Sequence, residues 1–194
     1  MNKEKFFVSL EGLDGTGKTT VAAALAEHLR AGGMPVTTFH VPMVPFESAK
    51  QYVAEQCDIN TQFLFHLTGV SDASRQIVVE LTNASVICDR YIHSTLAYHR
   101  AMGTTVQLSP ESMGIRWPDH VFYLTADDER VRRSRIDSRG AFDPGDNLHF
   151  VEGGLLERID EEYRRFSSVN VVETSHLSIL EVVSAIAVRL GYGR

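Results

Sequence analysis

Residues 11–20 read EGLDGTGKTT, with three glycines, three threonines and one lysine in ten positions. Glycine packs poorly and loses the most conformational freedom on folding, so a cluster of it marks backbone that must bend. The run follows KFFVSL (5–10), which has the composition of a strand. It precedes Lys18–Arg30, where Val21, Ala24, Leu25, His28 and Leu29 recur at helical spacing and Gly32-Gly33 supply a stop. The local order is therefore strand, glycine loop, helix.

Gly12-Leu13-Asp14-Gly15-Thr16-Gly17-Lys18-Thr19 has the spacing G-x-x-x-x-G-K-[ST] of a phosphate-binding loop. Such a loop turns successive N–H groups inward at one anion, and the following helix adds its unpaired amides and the positive end of its dipole. Lysine then reaches the β- and γ-phosphates and the adjacent hydroxyl ligates Mg²⁺. The nucleotide-binding candidates are Gly12, Asp14, Gly15, Thr16, Gly17, Lys18, Thr19 and Thr20. Thr20 reads as helix filler more than as a second metal ligand. ATP and Mg²⁺ are the expected cofactors.

Outward from the loop, strand and helix patterns alternate. PVTTFHV (35–41), ASVICD (84–89), HVFYLT (120–125) and VNVVET (169–174) read as further strands. Helical patterns cover 47–81, with a weak point at Thr68-Gly69, and then 94–102, 126–138 and 155–166. Along 155–166 the apolar residues are Leu155, Leu156, Ile159, Tyr163 and Phe166. Ser178 and Glu181 form a capping-box pattern for a last helix carrying Leu180, Val183, Ala187 and Leu190. Five strands in this alternation predict an α/β fold: a three-layer α/β/α P-loop NTPase arrangement around a five-stranded parallel sheet. No linker or repeat divides residues 1–194, so a single domain is expected, with a glycine-rich loop at 140–154.

Composition narrows the function. A net charge of −6 argues against a nucleic-acid surface, and the apolar runs are too short to span a membrane. The N-terminal MNKEKFFVSL has no apolar core or cleavage site of a signal peptide. Cys57 and Cys88 are too few for a disulfide framework and predict reduced thiols in a cytoplasmic protein. Lysine occurs only at 3, 5, 18 and 50, whereas five arginines crowd 130–139. One arginine cluster on an acidic chain suggests a small anionic ligand.

The strand Val86-Ile87-Cys88 ends in Asp89, and an aspartate there commonly binds Mg²⁺ opposite the phosphate loop. The chain continues as DRYIHSTLAYHRAMG (89–103). Together with FVSLEGLDGTGKTT (7–20), this resembles the thymidylate kinase family of P-loop nucleoside monophosphate kinases. PDHVFYLTADDERV (118–131) and the closing strand and helix are similar too. The resemblance implies an ATP-dependent kinase of dTMP or a related pyrimidine nucleotide, with a helical lid at about 130–154, and usually a homodimer. It places Asp14 near the acceptor's 3′-hydroxyl, Arg90 on its phosphate, Ser94 nearby, Tyr98 against the 2′ edge of the sugar, and Phe65 on the base. Glu11 and Asp89, with Thr19, would shape the Mg²⁺ shell. Family members carry a catalytic arginine in the loop or in the lid; Thr16 occupies the loop position here.

Within the lid, Asp128 pairs with Arg132 and Glu129 with Arg133 at helical spacing. Arg135 and Arg139 face each other without acidic partners inside the helix, so these two, and then Arg133, are the expected clamps on the transferring group. The base-reading positions depart from the family. His40-Val41-Pro42 replaces an arginine-glutamate-proline run, Gly69 replaces an arginine, and His99 replaces a glutamine. Losing a charged hydrogen bond to the base costs about 1.5–3 kcal/mol of discrimination unless replaced, with Arg75, His66 and His99 as candidates. Two other readings stay open: a kinase of an unphosphorylated nucleoside or small hydroxyl compound, and a non-catalytic nucleotide-binding regulator.

Overall fold

The structure is a computed structural model that describes residues 4–41, 44–138 and 154–193. Five strands, β1 (Phe7–Gly12), β2 (Val36–His40), β3 (Ser85–Asp89), β4 (His120–Thr125) and β5 (Val169–Glu173), form one sheet in the order β2-β3-β1-β4-β5. Every pairing is parallel. The helices are α1 (Lys18–Ala31), α2 (Val44–Gln56), α3 (Ile59–Glu80), α4 (Ile92–Ala101), α5 (Glu129–Asp137), α6 (Leu155–Arg164) and α7 (Ile179–Arg189). The expected α/β sandwich is what the chain forms.

Alternation along β1 divides the core. Val8 and Leu10 pack with α1 and α7 residues such as Leu25, Leu29, Val183 and Ile186. Phe7 faces the opposite layer, with Phe63, Val70 and Ile77 of α3 and Ile92 and Leu96 of α4. Tyr163 of α6 stacks on Tyr123 with ring centroids 4.4 Å apart. Because the sheet is parallel, the carboxyl ends of its strands share one edge. Register sets Asp89 opposite Leu10 and His40, and Gly12 opposite Leu124.

Three local expectations need correction. The break in the long helical region falls at Cys57-Asp58, where Asp58 accepts from the amides of Asn60 and Thr61 and starts α3. The helix then runs through Gly69 without interruption, and Gly69 is buried. His28 lies on the exposed side of α1, and Ala22 and Ala26 take the core face. On α7 the buried stripe is Val182, Val183, Ile186 and Ala187, while Leu180 is 77% exposed. The capping box at Ser178 and Glu181 forms as expected. Both cysteines are free thiols.

Candidate active site

The phosphate loop is held by backbone geometry that only glycine takes easily. Gly12, Gly15 and Gly17 have φ of +147°, +81° and +91°. A Cβ on Gly12 would lie 2.4 Å from the carbonyl oxygen of Leu124, and one on Gly15 would lie 2.5 Å from that of Arg132. The loop is therefore pressed between β4 and α5. Thr16 closes it from within, its hydroxyl donating to Leu13 O at 2.8 Å. Lys18 is only 4% exposed, and its ammonium donates to Leu13 O at 2.8 Å across the loop.

Two cations converge on Asp14. Lys18 Nζ stands 3.9 Å from Asp14 Oδ1, and the Arg90 guanidinium donates to that same oxygen. Arg90 also donates to Gly12 O at 3.0 Å and lies over the Tyr98 ring at 5.4 Å. It is the one described non-glycine residue with positive φ, +64°. Its backbone N–H donates to Leu10 O at 2.9 Å, which fixes the turn from β3 into α4. Burial and the nearby Asp14 carboxylate push the Tyr98 phenol up to about 12, against the opposing Arg90 charge, so it stays protonated.

Thr19 and Asp89 meet at the strand edge, the hydroxyl donating to Asp89 Oδ2 at 2.5 Å. His40 Nδ1 is 3.4 Å from the same oxygen. Burial raises the pKa of this carboxyl, but His40, Lys18, Thr19 and Arg90 together outweigh it and hold it at about 2. Asp89 Oδ1 is buried without a hydrogen bond among the described residues. An ionised carboxylate with a spare buried oxygen beside a hydroxyl suits a hard cation such as Mg²⁺, which takes few protein ligands and completes its shell with phosphate and water. Among the described residues no cluster of three or more acidic, histidine or cysteine side chains competes as a metal centre.

Glu11 is placed differently from the expectation. It is fully buried and turned to the start of α4, where Oε2 accepts from Ser94 N at 3.1 Å and Ser94 Oγ at 2.5 Å. With that hydroxyl proton committed, Tyr163 Oη donates to Ser94 Oγ at 2.8 Å. Glu11 therefore caps a helix whose own N-cap residue, Tyr91, makes no side-chain cap. Ser94 touches Arg90 only at 3.4 Å and serves chiefly as part of this anchor.

Two of the three expected lid arginines fall among the described residues. Arg133 is 62% exposed and donates to Glu129 at 2.7 Å, on the solvent side. Arg135 donates to Thr174 O at 2.8 Å, Thr174 Oγ1 at 3.0 Å and Gly15 O at 3.4 Å, so it braces the outer rim of the loop. There it walls a cavity of about 320 Å³ with Gly17, Thr20, Leu177 and Ile179. Arg139 lies outside the described residues, as does most of the 130–154 lid. The residue that sequence reasoning missed is Arg132. Asp128 caps α5 through Arg130 N, and Arg132 is buried against Gly15 with its charge felt at Tyr98.

Among the residues that the resemblance assigns to the acceptor, Phe65 is half-buried, edge-on to Phe46 at 6.1 Å and to His66 at 5.4 Å. His66 faces His99 at 5.2 Å. Arg75, named above as a candidate for the place of the arginine absent at Gly69, is 72% exposed and paired with Asp72.

A five-stranded parallel sheet whose first strand runs into a glycine-shaped anion loop, with Asp89 and Arg90 at the same edge, defines a P-loop α/β nucleotide-binding protein. The family model described as Thymidylate kinase matches residues 10–186, and on that match the chain belongs to the thymidylate kinase family. It is 27% identical over 201 residues to the probable thymidylate kinase of Methanocaldococcus jannaschii, spanning 97% of this chain and 96% of that one. To the probable thymidylate kinase of Staphylothermus marinus it is 31% identical over 170 residues, with 81% and 83% covered. The thymidylate kinase of Bacillus velezensis is 28% identical over 204 residues, with 93% and 94% covered. Among the described residues no helix is long and apolar enough to cross a membrane.

Proposed function

We propose that this protein is an ATP- and Mg²⁺-dependent nucleoside monophosphate kinase acting on dTMP or a related pyrimidine nucleotide. The observation that carries the reading is the convergence of Lys18 and Arg90 on Asp14, which sets two anion grips side by side. Lys18 and the loop amides take the β- and γ-phosphates of ATP, and Arg90 takes the acceptor's phosphate. A phosphate oxygen of the acceptor attacks the γ-phosphorus in line. The bond from that phosphorus to the β–γ bridging oxygen breaks, and ADP leaves with the electron pair. The nucleophile is already anionic, so no general base is required, and catalysis consists of positioning and charge neutralisation. Thr19 and Asp89 would hold the Mg²⁺, which when bound neutralises charge on the transferring oxygens.

Arg132, Arg135 and the lid at about 130–154 close the donor side and exclude water. The cavity at Thr20, Arg135 and Leu177 suits the donor's base. A kinase of unphosphorylated hydroxyls would need a carboxylate as base. Here Asp14 is tied to Arg90 and Lys18, Asp89 to Thr19 and Glu11 to Ser94, which favours the monophosphate reading. We further propose a cytoplasmic homodimer, for which the exposed Leu64, Val78 and Val79 on α3 are the candidate surface. A coupled ADP-release assay over mono- and unphosphorylated acceptors tests the activity. Lys18→Ala should abolish turnover, and Arg90→Ala should raise KM for monophosphates at least tenfold while KM for ATP holds. Full activity of Lys18→Ala, or an Arg90→Ala loss equal for nucleosides, would overturn the assignment.

A further inference from the structure

Three consecutive residues of β1 hold the turn that carries Arg90. Leu10 O accepts from Arg90 N at 2.9 Å and Gly12 O accepts from Arg90 Nη1 at 3.0 Å. Between them, the buried Glu11 carboxylate reaches past Arg90 to the first turn of α4. Its Oε2 accepts from Tyr91 N at 3.4 Å, Ser94 N at 3.1 Å and Ser94 Oγ at 2.5 Å. Ser94 Oγ in turn stands 3.4 Å from Arg90 Nη1. α4 has no side-chain cap of its own and no acidic residue in its first turn. Glu11 therefore supplies both the acceptor and the negative charge that a helix start attracts.

The backbone of Arg90 needs that support. Its φ of +64° is a strained conformation for a side chain other than glycine's, and such a conformation persists only where the surroundings over-determine it. The amide of Arg90 is tied to Leu10, and the next amide, that of Tyr91, faces Glu11. Without the carboxylate, the amides of Tyr91 and Ser94 lose a buried acceptor and residues 90–94 can relax. The guanidinium must meet Gly12 O and Asp14 together, so a small rotation at its root takes it off both. Only one oxygen of Glu11 carries these bonds. Oε1 makes no hydrogen bond among the described residues and lies 3.7 Å from Nδ1 of the buried His93. An amide oxygen in place of Oε2 could take the same donors.

We propose that Glu11 is a positioning residue of the acceptor-phosphate grip, acting through the start of α4 on Arg90 and touching neither nucleotide nor metal. This rests on the monophosphate kinase reading above. The strand that runs into the donor's phosphate loop is then also the strut of the acceptor's arginine, and the two grips keep a fixed separation because residues 10–12 hold both.

The test is a double-mutant cycle in steady-state kinetics, run well below every unfolding midpoint. Glu11→Ala should raise KM for dTMP by about 10–100-fold, the scale of a 1 Å misplacement, while KM for ATP and the Mg²⁺ requirement move by less than about twofold. Glu11→Gln should recover most of that loss. In an Arg90→Ala background, Glu11→Ala should change kcat/KM by less than about twofold, because the group it positions is gone. Should Glu11→Ala fail to fold, Ser94→Ala in the same two backgrounds completes an equivalent cycle. Equal losses with and without Arg90 overturn the proposal, since a merely structural residue gives the same factor in both. So does a loss that falls on ATP or Mg²⁺, a Glu11→Gln variant as impaired as Glu11→Ala, or a His93→Phe variant that reproduces the Glu11→Ala loss. If the unaltered protein binds ATP and phosphorylates no monophosphate, the kinase reading falls and this role with it; if turnover is normal and the cycle is additive, only the role of Glu11 falls.

Discussion

Replacing Gly12 by alanine should damage the fold more than the same change at Gly17, although both belong to the phosphate loop. At Gly12 φ is +147°, and the new methyl would stand 2.4 Å from Leu124 O and 2.9 Å from Thr16 Oγ1. Ordinary van der Waals contact begins near 3.4 Å, so the overlap with a backbone carbonyl is about 1 Å. That carbonyl cannot swing away, since Gly12 and Leu124 are paired in the β1–β4 register. The forbidden backbone region contributes about 1–3 kcal/mol and the overpacking a further ~1–3 kcal/mol. At Gly17 φ is +91° and nothing lies within 4 Å of the added methyl, so only the backbone term of about 1–2 kcal/mol applies. For a chain of this size each kcal/mol moves the midpoint by roughly 2–4 °C. Thermal unfolding followed by circular dichroism should place Gly12→Ala some 5–20 °C below the unaltered protein, and Gly17→Ala about 2–8 °C below. Equal shifts for the two variants would refute the packing argument.

Other substitutions separate structure from chemistry. Ser94→Ala removes the hydroxyl linking Glu11 to Tyr163 and should destabilise by about 2–3 kcal/mol, read from urea midpoints at constant m. Arg133→Ala breaks only an exposed pair with Glu129 and should change stability by less than about 0.5 kcal/mol and kcat by less than twofold, while Arg132→Ala should lower kcat at least tenfold. Acid titration has a defined window. His66 has a folded pKa of about 4 against an ordinary 6.5, so the unfolded chain takes the proton first as pH falls. Stability should be flat above pH 6.5 and drop between 6.5 and 4, by at most about 3 kcal/mol and less for the part of the ring that solvent screens. Asp89, at about 2 against 3.8, adds a lower window in the same direction. His66→Asn should reduce the slope of the upper window, leaving the part that comes from His99, whose pKa burial also lowers; an unchanged slope there would contradict the assignment.

The phosphate loop was legible because its residues answer to local geometry: each glycine sits where a side chain is strained. The five strands and their parallel sheet were legible from the alternation of strand and helix patterns, since buried parallel strands leave plain apolar runs such as VIC; their order in the sheet was not. Helix boundaries were harder where two local signals competed. The carboxylate of Asp58 caps α3 with two hydrogen bonds, and that sets the break, whereas Gly69 is carried inside the helix by burial. The arginine cluster misled for a related reason. Spacing made Asp128 the partner of Arg132, but Asp128 was used as the cap, and α5 rolled Arg132 toward Gly15. Glu11 could not be read from sequence at all, because its partner Ser94 is 83 residues away and meets it only through sheet register.

Arg90 keeps a left-handed backbone at φ +64°, where a side chain other than glycine's is strained by about 1–2 kcal/mol. Glycine at that position would relax the turn and remove the phosphate grip in one step. The sturdiest version of this bend is thus an idle one, and screens that select on heat resistance alone should drift toward losing the residue.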